Sequence, residues 1–426
     1  MDKIERENIF IGVLEQELVP ALGCTEPIAI AYASARARQV LGCMPEKMVI
    51  RCSGNIIKNV MGVTVPNSDG MKGIESAATL GVVGGSPDRE LEVLEAVTEK
   101  DIQKTNELVK EGFCTCSLQP DVENLYIVAT VYAGEHSASV TIVNRHTLIT
   151  QVTHDGEIVY SRKLHQSAEK KDYSKWSIKD ILEFADTVDV AKVRSILDRQ
   201  INYNLQISEK GISEDYGAQV GRTLLEIYGD RVEIRARAGA AAGSDARMGG
   251  CSLPVVINSG SGNQGMTVSI PVVEFARAWR KTPEELYRAL LVSNLIAIYQ
   301  KSFIGSLSAF CGAVTAAAGV GAALSYLSGG SYEEICQAIV NTLGNVGGIV
   351  CDGAKSSCAA KISSAVDAAI LAFRMSRKNR GFHPGEGIVK DSIEGTVQSV
   401  GRVARDGMKE TDTKILSIML EGNSSK

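Results

Sequence analysis

Apolar and polar positions along this chain change period twice. Residues 5–20 and 26–41 carry apolar side chains at helical spacing, which predicts two helices. The second opens at GCTEP, with Thr25 as its N-cap and Pro27 in the first turn, where a missing N–H costs nothing. KMVIRCS (47–53) reads as a short strand, GNIIKNVMGVTVPNSDG (54–70) as a loop, and 73–111 as helical. From 113 to about 163 the period drops to two. FCTCSL, NLYIVATVYAG, SASVTIVN, TLITQVTHDG and EIVYSRKL predict successive strands, joined by short turns into an antiparallel meander. The polar stretch HQSAEKKDYSK (165–175) is the best linker candidate. Helices are expected over 177–229, a strand at RVEIRAR (231–237), and a stretch dominated by Gly, Ala and Ser over 239–265. A strand at MTVSIPVV and then helices to the end complete the reading. The fold class is α+β, in two parts. Residues 1–165 hold a small antiparallel sheet with helices, and residues 176–426 are mainly helical.

Composition narrows the function. The chain of 426 residues is long enough for a substantial core, yet only 5% is aromatic while 41 residues are glycine. Small side chains therefore do much of the packing, and backbones approach closely. A net charge of −5 without a basic stripe argues against nucleic acid. MDKIERENIF has no apolar signal region, so the ten cysteines are expected in a reducing, cytoplasmic setting as thiols, metal ligands or catalytic groups. Ile304 to Leu327 is long enough for a membrane span, but its Ala, Gly and Ser content reads as a buried helix, and no membrane partner is expected. Low charge and glycine-rich helices suggest a homodimer.

The cysteines carry most of the chemistry. Cys24 stands immediately before a helix start, where free N–H groups and the positive dipole end favour a thiolate; a small buried hydrophobe is the alternative. Cys311 sits within the small-residue helix. Cys351 opens CDGAKSSCAAK, where Asp352 and Gly353 break the preceding pattern and a helix can begin. Cys358 follows seven residues later, about two helical turns, so both can share one face. That spacing suits two corners of a cluster better than one small ion, and no C-x2–4-C pair of the zinc type exists. Cys114 and Cys116 fall on a predicted strand and read as packing, as do Cys43, Cys52, Cys251 and Cys336, although Cys251 lies close to a glycine-rich loop.

The glycine-rich loops supply candidate binding groups. GSGNQG (260–265) satisfies G-x-G-x-x-G, but a dinucleotide site needs a helix next, and here a strand is expected. Ser259, Gly260, Ser261, Gly262, Asn263 and Gln264 would make a small-anion cradle, with a tight turn between two strands as the alternative. SGNQG also resembles the Ser-Gly-Asn loop of some pyridoxal-phosphate lyases, which supports an amino-acid substrate. Lys58, Lys72, Lys355 and Lys361 are available, but none has a convincing Schiff-base context. Asn55 and Asn59 are candidate amide contacts and Lys58 a candidate charge, with capping and turn chemistry as the alternative. Asp245 and Arg247 in SDARMGG would clamp a carboxylate or pair with each other. The five histidines form no HExxH motif, and no nucleophile elbow appears, which leaves acid–base work to another group type.

GCTEPIAIA, SDARMGG, SGSGNQG, Cys311 and CDGAKSSCA, in that order over nearly the whole chain, resemble the L-cysteine desulfidases. Those enzymes are relatives of the α domain of iron–sulfur L-serine dehydratases. The resemblance implies a [4Fe–4S] enzyme independent of pyridoxal phosphate. It would convert L-cysteine and water to sulfide, ammonia and pyruvate, by β-elimination to an aminoacrylate that hydrolyses. It implies that Cys311, Cys351 and Cys358 bind three irons, the last two closer in sequence than in the dehydratases. Cys24 is left as a fourth ligand or as the thiolate that removes the α-proton. The substrate sulfur would bind the open iron, and the Ser259–Gln264 loop would hold the carboxylate. L-Serine dehydration by the same cluster, a pyridoxal-phosphate lyase and a non-catalytic iron–sulfur sensor are the other classes to separate.

Overall fold

Helices expected at both ends of the N-terminal sheet are present. The computed structural model describes residues 3–162, 176–305 and 307–421; the stretch 165–175, expected as a linker, lies outside them, as does His165. The chain begins with α1 (Lys3–Glu17), β1 (Pro20–Leu22), α2 (Thr25–Leu41), β2 (Lys47–Cys52), α3 (Gly54–Val60), α4 (Ile74–Gly84) and α5 (Glu99–Lys110). Strands β3 (Cys114–Leu118), β4 (Tyr126–Ala133), β5 (His136–Val143), β6 (Ile149–His154) and β7 (Glu157–Ser161) follow. The second half comprises α6 (Ile178–Thr187), α7 (Arg194–Ser213), α8 (Val220–Tyr228), α9 (Val232–Met248), β8 (Pro254–Val256), α10 (Gly262–Ala278) and α11 (Pro283–Ile304). It ends with α12 (Gly312–Leu327), α13 (Tyr332–Val346), α14 (Ser357–Ser376), α15 (Ile393–Arg402) and α16 (Lys409–Glu421). This is the α+β fold with a small sheet and a helical C-terminal half that the sequence implies.

The main sheet has the order β3-β2-β4-β5-β6-β7. Strands β4 to β7 form the expected antiparallel meander. FCTCSL does not join it. Strand β3 runs parallel to β2 on the far side, from Met48↔Cys114 to Cys52↔Leu118. A parallel pair needs a crossover, and α3, α4 and α5 supply it.

Three further segments differ from their expected state. GNIIKNV is a helix, started by Ser53, whose hydroxyl accepts from the Ile56 N–H at 3.4 Å. RVEIRAR opens α9, and MTVSIPVV lies inside α10. The β-branched residues of MTVSIPVV mimic a strand because that stretch of α10 is buried on every side, so no polar face marks a helical period, whereas RVEIRAR mimics one because its apolar and charged residues alternate. Within α10, Thr267 and Ser269 hydroxyls donate back to the Asn263 and Gly265 carbonyls at 2.7 Å each, so neither hydroxyl is left unmatched in the core. The segment from Ile304 to Leu327 ends α11 and then forms α12, which is buried. Among the described residues no helix is long and apolar enough to cross a membrane.

Two short strands that the sequence pattern did not reveal fix the geometry of the site. β1 pairs antiparallel with β8, Pro20↔Val256 through Leu22↔Pro254. The pairing lays the segment that leads into α2 beside the segment that leads into α10. Helix α10 then presses on this pair: a Cβ at Gly265 would stand 2.0 Å from the Val256 carbonyl oxygen. Both partners are backbone, so neither can yield. Gly265→Ala is expected to lower stability by at least about 2 kcal/mol, read from chemical denaturation.

Candidate active site

Helix starts converge here. Cys24, and not Thr25, is the N-cap of α2. Ser261 is the N-cap of α10, and Cys311 is the N-cap of α12 rather than a residue inside it. Cys358 is the second residue of α14, so Cys351 lies in the loop before that helix and not two turns along one face. Side chains join these starts. Thr25 Oγ1 donates to the Gly260 carbonyl at 3.0 Å, and Arg247 Nε to the Gly23 carbonyl at 2.8 Å. The Gln264 side chain lies against Gly312, where a Cβ would meet its Cδ at 2.6 Å. Cys24 packs with Val63 and Met248, and Cys358 and Ala354 pack against that group.

Cys311 and Cys351 are brought together by main-chain pairing. Phe310 and Val350 form an antiparallel bridge, Cys311 N–H donates to the Ile349 carbonyl at 3.0 Å, and Cys351 N–H to the Ala309 carbonyl at 2.6 Å. Cys358 N–H bonds the Lys355 carbonyl at 2.9 Å. The three side chains sense one another. Burial first, and then Cys351 and Cys358, push the Cys311 thiol up to about 12; burial, and then Cys351, also raises Cys358, while Lys361 and Lys355 act against that rise.

The donor set is three soft thiols. Among the described residues no three His, Cys, Asp or Glu side chains converge as they would on a single metal ion. A [4Fe–4S] cluster makes a different demand, because each thiolate binds a separate iron. Cationic groups complement such an anionic assembly. The buried Lys301 ammonium feels Cys351 and Cys311, and Lys361 feels Cys311 and Cys358. Lys58 donates to the Cys351 carbonyl at 3.4 Å. The residues therefore fit the cluster in donor chemistry and in charge. All ten cysteines are free thiols.

Beside the cysteines lies a buried polar group that centres on Glu26, which the sequence reading did not single out. Its carboxylate accepts from Cys24 Sγ at 3.0 Å, Thr25 Oγ1 at 3.1 Å and Asn59 Nδ2 at 3.2 Å. Burial acts to raise its pKa, but His146, the Cys24 thiol and Arg247 outweigh burial and hold it below the usual carboxylate range. Cys24 is affected oppositely. Burial and then Glu26 raise its thiol well above the ordinary value, so the helix start does not by itself yield the thiolate expected from the sequence. His146 stands on the turn between β5 and β6, buried, where burial pushes its imidazole pKa down and the Glu26 carboxylate opposes that shift.

Of the other expected binding residues, some meet here and some do not. Asn258 and Ser261 exchange main-chain hydrogen bonds at 3.1 and 3.0 Å, which closes Ser259 and Gly260 into a tight turn with φ of 51° and 79°. Ser259 Oγ is spent on Asn258 Oδ1 at 2.9 Å, so the donors available to an anion are those of Gly262, Asn263 and Gln264 at the start of α10. This turn connects a strand to a helix, not two strands. It is still no dinucleotide site, because β8 belongs to a two-stranded antiparallel pair and not to a parallel sheet. Asp245 faces away and accepts from Ala218 N–H and Gly221 N–H at 3.2 Å each. It does not pair with Arg247, since residues two apart on α9 do not share a face. Arg247 does reach the site, pressed beneath Gly262. Asn55 lies one helical turn before Asn59 on α3.

Lys58 is not free for a substrate. Its ammonium also bonds Asp412 of α16, whose other oxygen accepts from the Ala309 N–H at 2.9 Å. This latch holds the C-terminal helix over the segments that carry Cys311 and Cys351. Asp412→Ala would leave a buried ammonium uncompensated. It is expected to cost about 3 kcal/mol and to expose α16 to amide exchange, measured by denaturation and by hydrogen exchange.

The chain is 55% identical to a UPF0597 protein of Lachnoclostridium phytofermentans over 96% of its own length and 99% of the relative's. It is 48% identical to one of Desulfitobacterium hafniense over 98% and 97%, and 46% identical to one of Treponema denticola over 99% of each. Residues 88–417, which carry the meander and all three cysteines of the bridged loops and α14, match the family described as serine dehydratase alpha chain. The chain belongs to the serine dehydratase alpha chain family.

Proposed function

We propose that this protein is a [4Fe–4S]-dependent, pyridoxal-phosphate-independent lyase that converts L-cysteine and water to sulfide, ammonia and pyruvate. The observation that carries the reading is the gathering of Cys311, Cys351 and Cys358 beside the buried Cys24. Cys311, Cys351 and Cys358 hold the cluster, which when bound supplies a Lewis-acidic iron for the substrate's sulfur. The N–H groups that open α10 and the Arg247 side chain receive the substrate carboxylate. Cys24 passes its thiol proton to the Glu26 carboxylate that accepts from it and, as the thiolate, removes the α-proton. The elimination gives sulfide and an aminoacrylate, and water hydrolyses the latter to pyruvate and ammonia. The reaction belongs in a reducing cytoplasm, where thiolates and cluster persist, and a homodimer remains our reading of the quaternary state.

L-Serine is the second substrate to test, because the family's own description names serine dehydratase. The deciding experiment is an absorption spectrum of anaerobically purified protein, followed by sulfide and pyruvate assays with L-cysteine and L-serine. A cluster chromophore with sulfide from cysteine supports the desulfidase. Pyruvate from serine without sulfide release from cysteine assigns a dehydratase. A cluster without turnover leaves a sensor, and a borohydride-sensitive band without iron leaves a pyridoxal-phosphate enzyme.

A further inference from the structure

Three side chains that border this site each carry a buried polar atom without a partner among the described residues. His146 Nε2, Asn59 Oδ1 and Asn263 Oδ1 are all buried and make no hydrogen bond among the described residues. Such atoms are uncommon in a folded protein because each forfeits its hydration without return. Each side chain is otherwise fixed at the site. Asn59 Nδ2 donates to Glu26 Oε1 at 3.2 Å, and Asn263 Nδ2 contacts Met248 Sδ at 3.9 Å, beside Cys24. The His146 ring covers Gly260, where a Cβ would meet Cε1 at 3.2 Å and Nδ1 at 3.5 Å. His146 reaches this place from the N-terminal sheet, on the turn that Asn144 opens with φ of 65°.

We infer that His146 Nε2, Asn59 Oδ1 and Asn263 Oδ1 form the seat of the substrate's α-ammonium group. The inference rests on the reading of the site as one for a small amino acid. With the His146 proton on Nδ1, the unmatched atoms share one polarity. Amide oxygens only accept, and a neutral imidazole protonated on Nδ1 accepts at Nε2. An ammonium offers three N–H donors, one for each, and the Glu26 carboxylate alongside supplies the opposite charge. The donors lie at the start of α10 and on Arg247, so a zwitterion has one wall for each charge. His146 is thus a substrate-contacting residue that the sheet contributes to a site otherwise built from helix starts.

The test is a ligand-observed NMR titration of the full-length, anaerobically reconstituted protein with L-alanine and propionate. These differ only in the amino group, and neither can undergo elimination of sulfide. Wild-type protein is expected to bind L-alanine at least about tenfold more tightly than propionate. In His146→Ala and Asn263→Ala the ratio falls towards one through weaker L-alanine binding, while propionate binding is unchanged. A purely structural role would weaken both ligands together. His146→Leu, close in volume and without an acceptor, gives the same reading if the alanine variant does not fold, and His146→Gln keeps part of the preference. Equal binding of the two ligands by wild-type protein, or an unaltered ratio in the folded His146 variants, overturns the inference. Sulfide release is measured separately. Turnover of L-cysteine with an unaltered ratio rejects the ammonium seat alone. Absence of cluster and turnover with the ratio behaving as expected rejects the lyase alone.

Discussion

Replacing Cys24 with alanine is expected to leave iron and acid-labile sulfide at the wild-type level and to cut sulfide release from L-cysteine at least a hundredfold. The fold tolerates the change. Cys24 is an N-cap whose side chain makes no cap hydrogen bond, so α2 loses nothing at its start. Removal of one sulfur from the small apolar group with Val63 and Met248 costs on the order of 1 kcal/mol. What is lost is the one thiol that donates directly to Glu26. Burial and Glu26 keep that thiol protonated, which protects it from stray oxidation, and Arg247 is the charge already placed to favour the thiolate. Anaerobic iron and sulfide analysis, paired with a sulfide assay, reads both halves of the expectation. Loss of the cluster in this variant would make Cys24 an obligatory ligand instead of the base.

The fold was legible where the period was clean. The meander from β4 to β7 alternates over enough residues to define itself, and α1 and α2 are both present, although α1 ends at Glu17 and Pro20 opens β1. Legibility failed where burial erased the period. MTVSIPVV is rich in β-branched residues, yet α7, α9, α11 and α12 surround it, so a polar face never appears. The parallel partner of β2 was hidden for another reason. Which strand neighbours which depends on the crossover through α3 to α5, and no local pattern encodes that choice.

The site divides in the same way. Cys24, Cys311, Cys351 and Cys358 stood out by residue type and by resemblance, and the fold brings them to one place. Their local settings were misjudged, because helix starts after a glycine-rich run are blurred when Gly, Ala and Ser dominate both sides. Glu26 had a signal that was passed over: it is the one carboxylate in the otherwise small and apolar run TEPIAIAYASA. His146 had none. A lone histidine in a turn of an exposed-looking hairpin becomes a wall of the site only because Gly260 lets its ring approach. Asp245 and Lys58 looked like ligand-binding charges and are engaged within the fold, one receiving the N–H groups at the α8 start and the other bonding Asp412.

The largest effect is expected from the bridged pair. Cys311→Ala and Cys351→Ala should each abolish the cluster chromophore and bring turnover below detection, with helix content unchanged. The main chain explains why the fold survives. The Phe310↔Val350 bridge and the bonds from Cys311 N–H and Cys351 N–H use no side-chain atom, so alanine leaves the two loops in place. The site therefore persists in shape and loses only a donor. Cys358→Ala should follow the same course, since Lys361 acts on its thiol as on that of Cys311. Cys43→Ala is the matched control: Cys43 is exposed, lies after α2, and should retain full iron and full activity. Anaerobic iron analysis across the four variants reads the ligand set directly, and normal iron content in any of the first three removes that cysteine from it.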